Sequence, residues 1–458
     1  MVVLKDKPEE KCGVFGVFGV ESPAEYIYLG LHTLQHRGQE TAKIVTASNV
    51  KFYEKGGKGI VNYVFTNEKL QQFNGHMGIG HVRYSTQGGA GYKNAQPLGG
   101  TTKNGTIYLA HNGQFANSHL IRRKLQNEGV IFMTTSDTEV ALHQFARSNG
   151  ATIIDKMRDA LKGINPSYAL LALTNKEVIA VRDPAGIKPL VIGELPDGGI
   201  VFSSETVPFQ ALNAKYVGEV QPGEMVIADK DGLHCVQLFP KQESQQCIFE
   251  QIYFGHPASF IFGSKVTVGE VRKEFGRMHY KLYPTDGDVV IPVPDSSNQA
   301  ALGYSQDSGI PFGFGLIRSH YIGRTFIQPR QIDRDAGVLK KYTIDETEVR
   351  GKRVIVVDDS LVRGTTLKKL VIFLREMGAK EIHVRITSPP YAHSCYLGID
   401  TAETGKLLAA NKTVDGIRQY IDADSLVYFS TQDLLSNKYL TNKYCTFCFD
   451  GQQKILRH

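Results

Sequence analysis

The sequence predicts two unlike domains in tandem, an α+β domain followed by an α/β domain with a parallel sheet. Three observations carry this. From about 50 to 240 the chain shows short β patterns broken by Gly, Asn and Pro-Gly turns, with few helices between them. Beyond 240, strands alternate with helices in "DVVIPVPDS", "RVIVVDDS", "TLKKLVIFLREMGA" and "IHVRITSPP", the pattern of a parallel α/β sheet. Between them, "LFPKQESQQC" is polar and reads as a linker, which puts the boundary near 240–250. A length of 458 residues accommodates two such domains.

The elements follow in order. Residues 12–20 are a continuous apolar run, read as a strand buried on both faces. In "SPAEYIYLGLHTLQHRGQE", Ser22, Pro23 and Glu25 predict a capped helix start, and Gly38 an end. "TSDTEVALHQFARS" predicts a second helix, with Ser136 and Glu139 as its capping box. Net charge is +6, from 52 basic and 46 acidic residues. That excess suits an anionic small molecule and gives no sign of a nucleic-acid groove. No apolar run approaches a membrane span, and "MVVLKDKPEEK" lacks the apolar core of a secretory signal, so a cytoplasmic location is expected. There, the six cysteines are expected to be catalytic or metal-bound rather than disulfide-paired.

"VIVVDDSLVRGTTLKKLVIFLREMG" is the most informative stretch. Val354 to Val357 form a strand core, Asp358 and Asp359 stand at its C-terminal end, and a helix starts near Thr366. Parallel sheets bind ligands at that edge. Helix-start N–H groups with small hydroxyl residues cradle phosphate. Two adjacent acids hold sugar hydroxyls or a divalent cation, so the implied ligand carries phosphate, ribose and metal together. An ordinary solvent-facing turn would not need strand, acid pair, "RGTT" and helix in one place.

This stretch resembles the phosphoribosylpyrophosphate (PRPP) loop of type I phosphoribosyltransferases. The resemblance implies that Asp358 and Asp359 meet the ribose and Mg²⁺, and that Ser360, Arg363, Gly364, Thr365 and Thr366 form the 5-phosphate loop. "IPVPDS" resembles the pyrophosphate segment, with Ser296 at the metal position. "GRTFIQPRQIDRDAGVLKK" resembles the basic loop that closes over PRPP, with Arg324 and Lys341 among its cations.

Cys12 opens the first strand. A lone cysteine is ordinarily a small buried hydrophobe. With residues 1–11 removed, however, it carries a thiol beside a free α-amine whose reference pKa is about 7.7–8.0. Nucleophile and base then reside in one residue. "CGVFGVFG", "HRGQE", "GHVRYSTQG", "HNGQFAN" and "SDTE" together resemble the class II, N-terminal-nucleophile glutamine amidotransferases, whose fold is an αββα sandwich. That resemblance implies Cys12 as nucleophile, Asn112 and the Gly113 N–H as oxyanion hole, and Arg83, Thr86 and Asp137 as the glutamine site. His36, Arg37, His81 and His111 are read as structural, because the α-amine already supplies the base.

The two halves in this order resemble the glutamine PRPP amidotransferases, almost end to end. The resemblance implies a propeptide at 1–11, a glutaminase domain at 12–245, and a phosphoribosyltransferase domain at 246–458 whose tail binds a cluster. It implies an enzyme that uses glutamine and PRPP with Mg²⁺, a homotetramer inhibited by purine nucleotides, and no nucleic-acid or membrane partner. The chain departs from the family pattern at Gln114, Lys188, "GHP" at 255–257, Ser297, Leu339 and Thr343. Cys445 and Cys448 form a C-x-x-C that, with Cys247 and Cys395, makes four thiols, enough for a [4Fe–4S] cluster or Zn²⁺. One branch of the family carries a cluster at these four positions, so a cluster is expected, with zinc as alternative. Competing functions are an amidotransferase with another phosphosugar acceptor, a non-catalytic PRPP or nucleotide sensor, and a metal-dependent nucleic-acid binder.

Overall fold

The computed structural model describes residues 12–84, 91–319, 341–399, 403–440 and 443–452. Its first half is two stacked antiparallel sheets with helices outside both. In chain order the strands are β1 (Gly13–Phe18), β2 (Thr41–Ala47), β3 (Phe52–Lys58), β4 (Met77–Arg83), β5 (Leu98–Thr102), β6 (Gly105–Gly113) and β7 (Tyr168–Leu173). They continue with β8 (Val178–Arg182), β9 (Val191–Glu194), β10 (Ile200–Ser203), β11 (Lys215–Glu219), β12 (Glu224–Asp229) and β13 (Gly232–Gln237). One sheet runs β11-β9-β10-β1-β4-β2-β3, the other β13-β12-β8-β7-β6-β5.

The Val/Phe/Gly alternation of β1 explains its central place. Phe15 and Val17 face the helix Pro23–Thr33, with Ile27 and Leu31 opposite them. Val14 faces the other sheet, among Ile79, Ala110, Ala169 and Leu171. Beyond the second sheet, Leu170 and Ile179 pack on Phe145, Met157 and Leu161 of two further helices. These three apolar interfaces make four layers, the expected αββα sandwich.

Two expected capping boxes do not form. Ser22 precedes the helix with φ −117° and ψ 65° and makes no side-chain cap; the helix ends at Thr33, before a 3₁₀ turn at Gln35–Arg37. The helix Thr138–Arg147 is capped by Asp137, whose side chain accepts from Thr138 N. Glu139 instead accepts from the N–H groups of Met133 and Thr134, at 2.7 and 2.8 Å. A loop offering two open donors captures the carboxylate that the helix start would have used.

After residue 237 the chain leaves both sheets. β14 (Gln246–Cys247) pairs in parallel with β21 (Tyr444–Cys445), near the C-terminal end of the described residues. The strands β15 (Val289–Pro292), β18 (Arg353–Asp358), β19 (Glu381–Ile386) and β20 (Ser425–Tyr428) form the parallel sheet in that order. β16 (Leu316–Arg318) and β17 (Tyr342–Ile344) form a small antiparallel ribbon. Val354 and Val356 face the helix Thr365–Glu376, and Ile355 and Val357 face the opposite layer. There the helices Val268–Leu282 and Asn298–Ser308 cross so closely that a Cβ on Gly276 would stand 1.7 Å from Ala300 O. Only glycine fits that crossing. Among the described residues, no helix is long and apolar enough to cross a membrane.

Candidate active sites

One end of the sandwich gathers the first group of expected site residues. Gly13 pairs with Val82, which brings Cys12 to the end of β4 that carries Arg83. Cys12 is buried, and its Sγ lies 3.5 Å from Tyr84 O. His81 Nε2 donates to His111 O at 3.2 Å and so ties β4 to β6 across the stack. Arg83 and the Asn112–Gly113 pair, each just beyond those histidines, therefore share one end of the sandwich.

Gln114 and Ser167 exchange both main-chain hydrogen bonds at 2.8 Å. By the alternation of an antiparallel ladder, Gly113 then faces Tyr168 as a non-bonded pair and its N–H points away from β7. On that side β5 pairs only as far as Leu109, so neither neighbouring strand uses this N–H. Gly113 has φ +136°, and a Cβ there would stand 2.3 Å from Ser167 O, so only glycine gives this exit. The Asn112 side-chain amide is buried, and among the described residues neither its N nor its O has a hydrogen-bond partner. An orphaned buried amide is costly unless something else binds it.

Asp137 sits beside these groups. Phe115 N donates to its Oδ2 at 2.9 Å, Thr138 N to its Oδ1 at 3.0 Å, and His111 Nε2 lies 3.5 Å away. Burial opposes its charge, yet His111 and the two N–H groups outweigh burial and hold its carboxyl below the usual range. Thr86 lies outside the described residues.

His81 is buried against His111 and Arg83, and its pKa falls to about 3. His279, buried beneath Arg385, also falls to about 3. The unfolded chain protonates near 6.5, so both contributions are intact above that pH and are lost as pH falls toward 3. The pair is expected to cost about 3 kcal/mol between pH 6.5 and 5. Urea midpoints across that range measure the loss, and His279→Phe should about halve it; a midpoint independent of pH would refute the assignment.

At the parallel sheet, Asp358 ends β18 and Asp359 follows it, both buried. Ser296 Oγ donates to Asp359 Oδ2, and Ser297 Oγ to Asp358 Oδ1 at 3.0 Å. Asp359 N also donates to Asp358 Oδ1, at 2.9 Å. The departure at Ser297 thus places a buried hydroxyl directly on the acid pair. Gly364, at φ +74°, precedes the helix Thr365–Glu376, and Ser360 and Arg363 stand in the loop before it. Arg363 Nη1 is buried without a hydrogen-bond partner among the described residues. Lys341 is exposed just before β17, its carbonyl accepting from Ser319 N at 2.9 Å. Arg324 and Leu339 lie outside the described residues.

Four cysteines meet in a third place. Cys247 faces Cys445 across the β14–β21 register. Cys247, Cys395, Cys445 and Cys448 all line one cavity of about 20 Å³, walled by Ile187, Phe249, Leu397 and Phe447. Burial and the neighbouring thiols push Cys247 up to about 12 and Cys445 to about 11. Among the described residues, no three His, Cys, Asp or Glu side chains stand at metal-ligand geometry. The donor set itself, four thiols lining one largely apolar pocket, fits a soft metal or an iron–sulfur cluster.

The sequence reading missed what lies behind Cys12. Arg37 Nε donates to Cys12 O at 3.1 Å, Nη1 to Glu205 at 2.7 Å, and Nη2 to both Glu250 oxygens at 3.0 and 3.1 Å. Arg37, Glu205 and Glu250 are all 0% exposed. Burial opposes the Glu205 charge, but His36 and Arg37 hold its carboxyl far below the usual range. Nothing local signals these partners, which lie 168 and 213 residues from Arg37.

Comparison with known proteins gives a consistent picture. The glutamine amidotransferase domain family matches residues 67–271, and the phosphoribosyl transferase domain family matches residues 271–396. The chain is similar to amidophosphoribosyltransferase 2, chloroplastic, of Arabidopsis thaliana, 46% identical over 98% of this chain and 80% of that one. It is similar to amidophosphoribosyltransferase of Bacillus subtilis, 44% identical over 97% of this chain and 94% of that one. A solved structure described as the allosteric regulatory enzyme of purine biosynthesis superposes with TM-score 0.92 at 44% identity, over 97% of both chains. The B. subtilis glutamine PRPP amidotransferase complexed with ADP and GMP superposes with TM-score 0.91 at 43% identity, over 97% of this chain and 98% of that one.

Proposed function

Because the chain belongs to the amidophosphoribosyltransferase family, we propose the following division of labour among its residues. The overall reaction transfers the amide nitrogen of glutamine to PRPP, giving 5-phosphoribosylamine, glutamate and pyrophosphate in purine synthesis. Residues 1–11 are a leader whose removal frees the Cys12 amine; residues 12–245 hydrolyse glutamine, and 246–458 carry the acceptor site. The observation that carries the glutaminase assignment is the buried, unpartnered Asn112 amide at the Cys12 end of the sandwich.

The Cys12 amine takes the thiol proton, and Sγ attacks the amide carbon of glutamine. Asn112 Nδ2 and the Gly113 N–H donate to the oxygen that gains charge. Arg83 forks onto the substrate α-carboxylate, Asp137 accepts from its α-ammonium, and Thr86 lines the pocket. The amide C–N bond breaks and ammonia leaves with the amine's proton. Water then hydrolyses the thioester to glutamate.

At the other site, Asp358 and Asp359 hold the ribose hydroxyls. Ser360, Arg363, Gly364, Thr365 and Thr366 donate to the 5-phosphate at a helix start, where main-chain N–H groups converge. Arg324 and Lys341 meet the pyrophosphate. Mg²⁺, held through Ser296, Asp358 and Asp359, would neutralise that leaving group. Ammonia attacks C1 as the bond to pyrophosphate breaks. Product analysis with glutamine, PRPP and Mg²⁺ tests the whole; glutamate without pyrophosphate would remove the acceptor assignment.

The four cysteines are proposed to hold one [4Fe–4S] cluster with a structural role, since neither half-reaction moves an electron. About four iron and four sulfide per chain are expected in protein prepared without oxygen. Zinc with no iron would replace the cluster, and four free thiols in active protein would exclude both. Purine nucleotide inhibition is proposed because the similar B. subtilis protein was solved with ADP and GMP. A cytoplasmic homotetramer completes the proposal, with sedimentation as its test.

A further inference from the structure

Removal of a leader leaves Cys12 with no preceding residue to fix its main chain. Its position then depends on what holds its own carbonyl and the next residues. Val14 N is held by Ser204 Oγ at 3.0 Å, inside the sandwich. The Cys12 carbonyl is held by Arg37 Nε at 3.1 Å. Arg37 has no other freedom. Its Nη1 edge is spent on Glu205, from the segment beside Ser204, and its Nη2 edge on both oxygens of Glu250.

Glu250 comes from a different quarter of the molecule. It begins the turn Glu250–Phe254, three residues after Cys247, in the segment that β14 pairs to β21. Lys188 Nζ, 3.5 Å from Glu250 Oε1, flanks the same carboxylate. We infer that Glu250 is a positioning residue for the Cys12 nucleophile, acting through Arg37. The inference rests on the reading of Cys12 as nucleophile. With Nη1 on Glu205 and Nη2 shared by both Glu250 oxygens, the outer edge of the planar guanidinium cannot turn about its own axis. Release that edge and the donor to Cys12 O moves with it. Displacement of a reacting group by about an ångström costs up to about 10²-fold in rate. A segment outside both sandwich sheets thereby sets the geometry of the glutaminase.

Charge dictates the choice of variant. Arg37 and Lys188 stand against Glu205 and Glu250, so a neutral residue at 250 would leave a buried cation uncompensated. Glu250→Asp keeps the charge and withdraws it by one methylene. Glutamine-driven kcat should fall about tenfold or more, with KM for glutamine and ammonia-driven synthesis each within about twofold. Covalent inactivation by a diazoketone analogue of glutamine should slow in parallel, since it reports the Cys12 thiol alone. Arg37→Lys should show a similar loss, and the double variant should be no worse than the poorer single one. Additive losses, glutamine turnover equal to the parent, or glutamine- and ammonia-driven rates falling together with the urea midpoint would each overturn the inference. A Cys12→Ser enzyme that still hydrolyses glutamine would instead overturn the reading on which it rests.

Discussion

Cys12→Ser is expected to abolish glutamine-driven synthesis while leaving ammonia-driven synthesis within about twofold of the parent. Replacing one sulfur by oxygen barely changes volume, and β1 is held by its ladders to β4 and β10. The fold should therefore persist. A serine hydroxyl is far less acidic and a weaker nucleophile than a thiol, and it stands in a site shaped around the larger sulfur. Loss on the order of 10³-fold or more is expected for glutamine. Asp358 and Asp359, proposed for the acceptor site, lie at the parallel sheet, outside the sandwich, so added ammonia should bypass the defect. Intact mass of the active parent should show a chain beginning at Cys12, because an amide nitrogen cannot take the thiol proton. Active protein that still begins at Met1 would end this mechanism.

The second large effect is the converse. Asp358→Asn combined with Asp359→Asn should depress synthesis from glutamine and from ammonia alike, on the order of 10²-fold or more. Both acids are buried at the C-terminal end of β18, and both accept from Ser296 or Ser297 hydroxyls. Asparagine keeps the shape and an acceptor oxygen, so those hydroxyl contacts survive. What disappears is the charge that a divalent cation and a ribose hydroxyl would meet. An unchanged urea midpoint would separate this loss from unfolding. Near-parent turnover with ammonia in the double variant would remove both acids from the acceptor site.

Much of this was legible in the residue order because the chemistry is local. "VIVVDDSLVRGTT" encodes a strand, two acids at its end, and a glycine that opens a helix, all within one short stretch. The αββα layers follow from residues such as Val14, Phe15 and Ile79, which alternate faces along each strand. Local patterning misled where a loop competed, as at Glu139, whose carboxylate went to Met133 N and Thr134 N rather than to its own helix start.

Residue types and short spacings alone therefore determined which groups were candidates to react: a thiol at Cys12, an acid pair before a glycine-opened helix, and four cysteines. Packing alone decided which of them meet. Cys247 and Cys445 are brought face to face by one two-residue parallel pairing. The Gly113 N–H is left outside the ladder because β5 begins only at Leu98, opposite Leu109. Arg37 bridges Cys12, Glu205 and Glu250 only after two sheets and a later segment have closed around it. A short motif records its own backbone geometry, whereas the partner of a buried charge is chosen by whichever distant surface excludes water from it, and no local pattern records that choice.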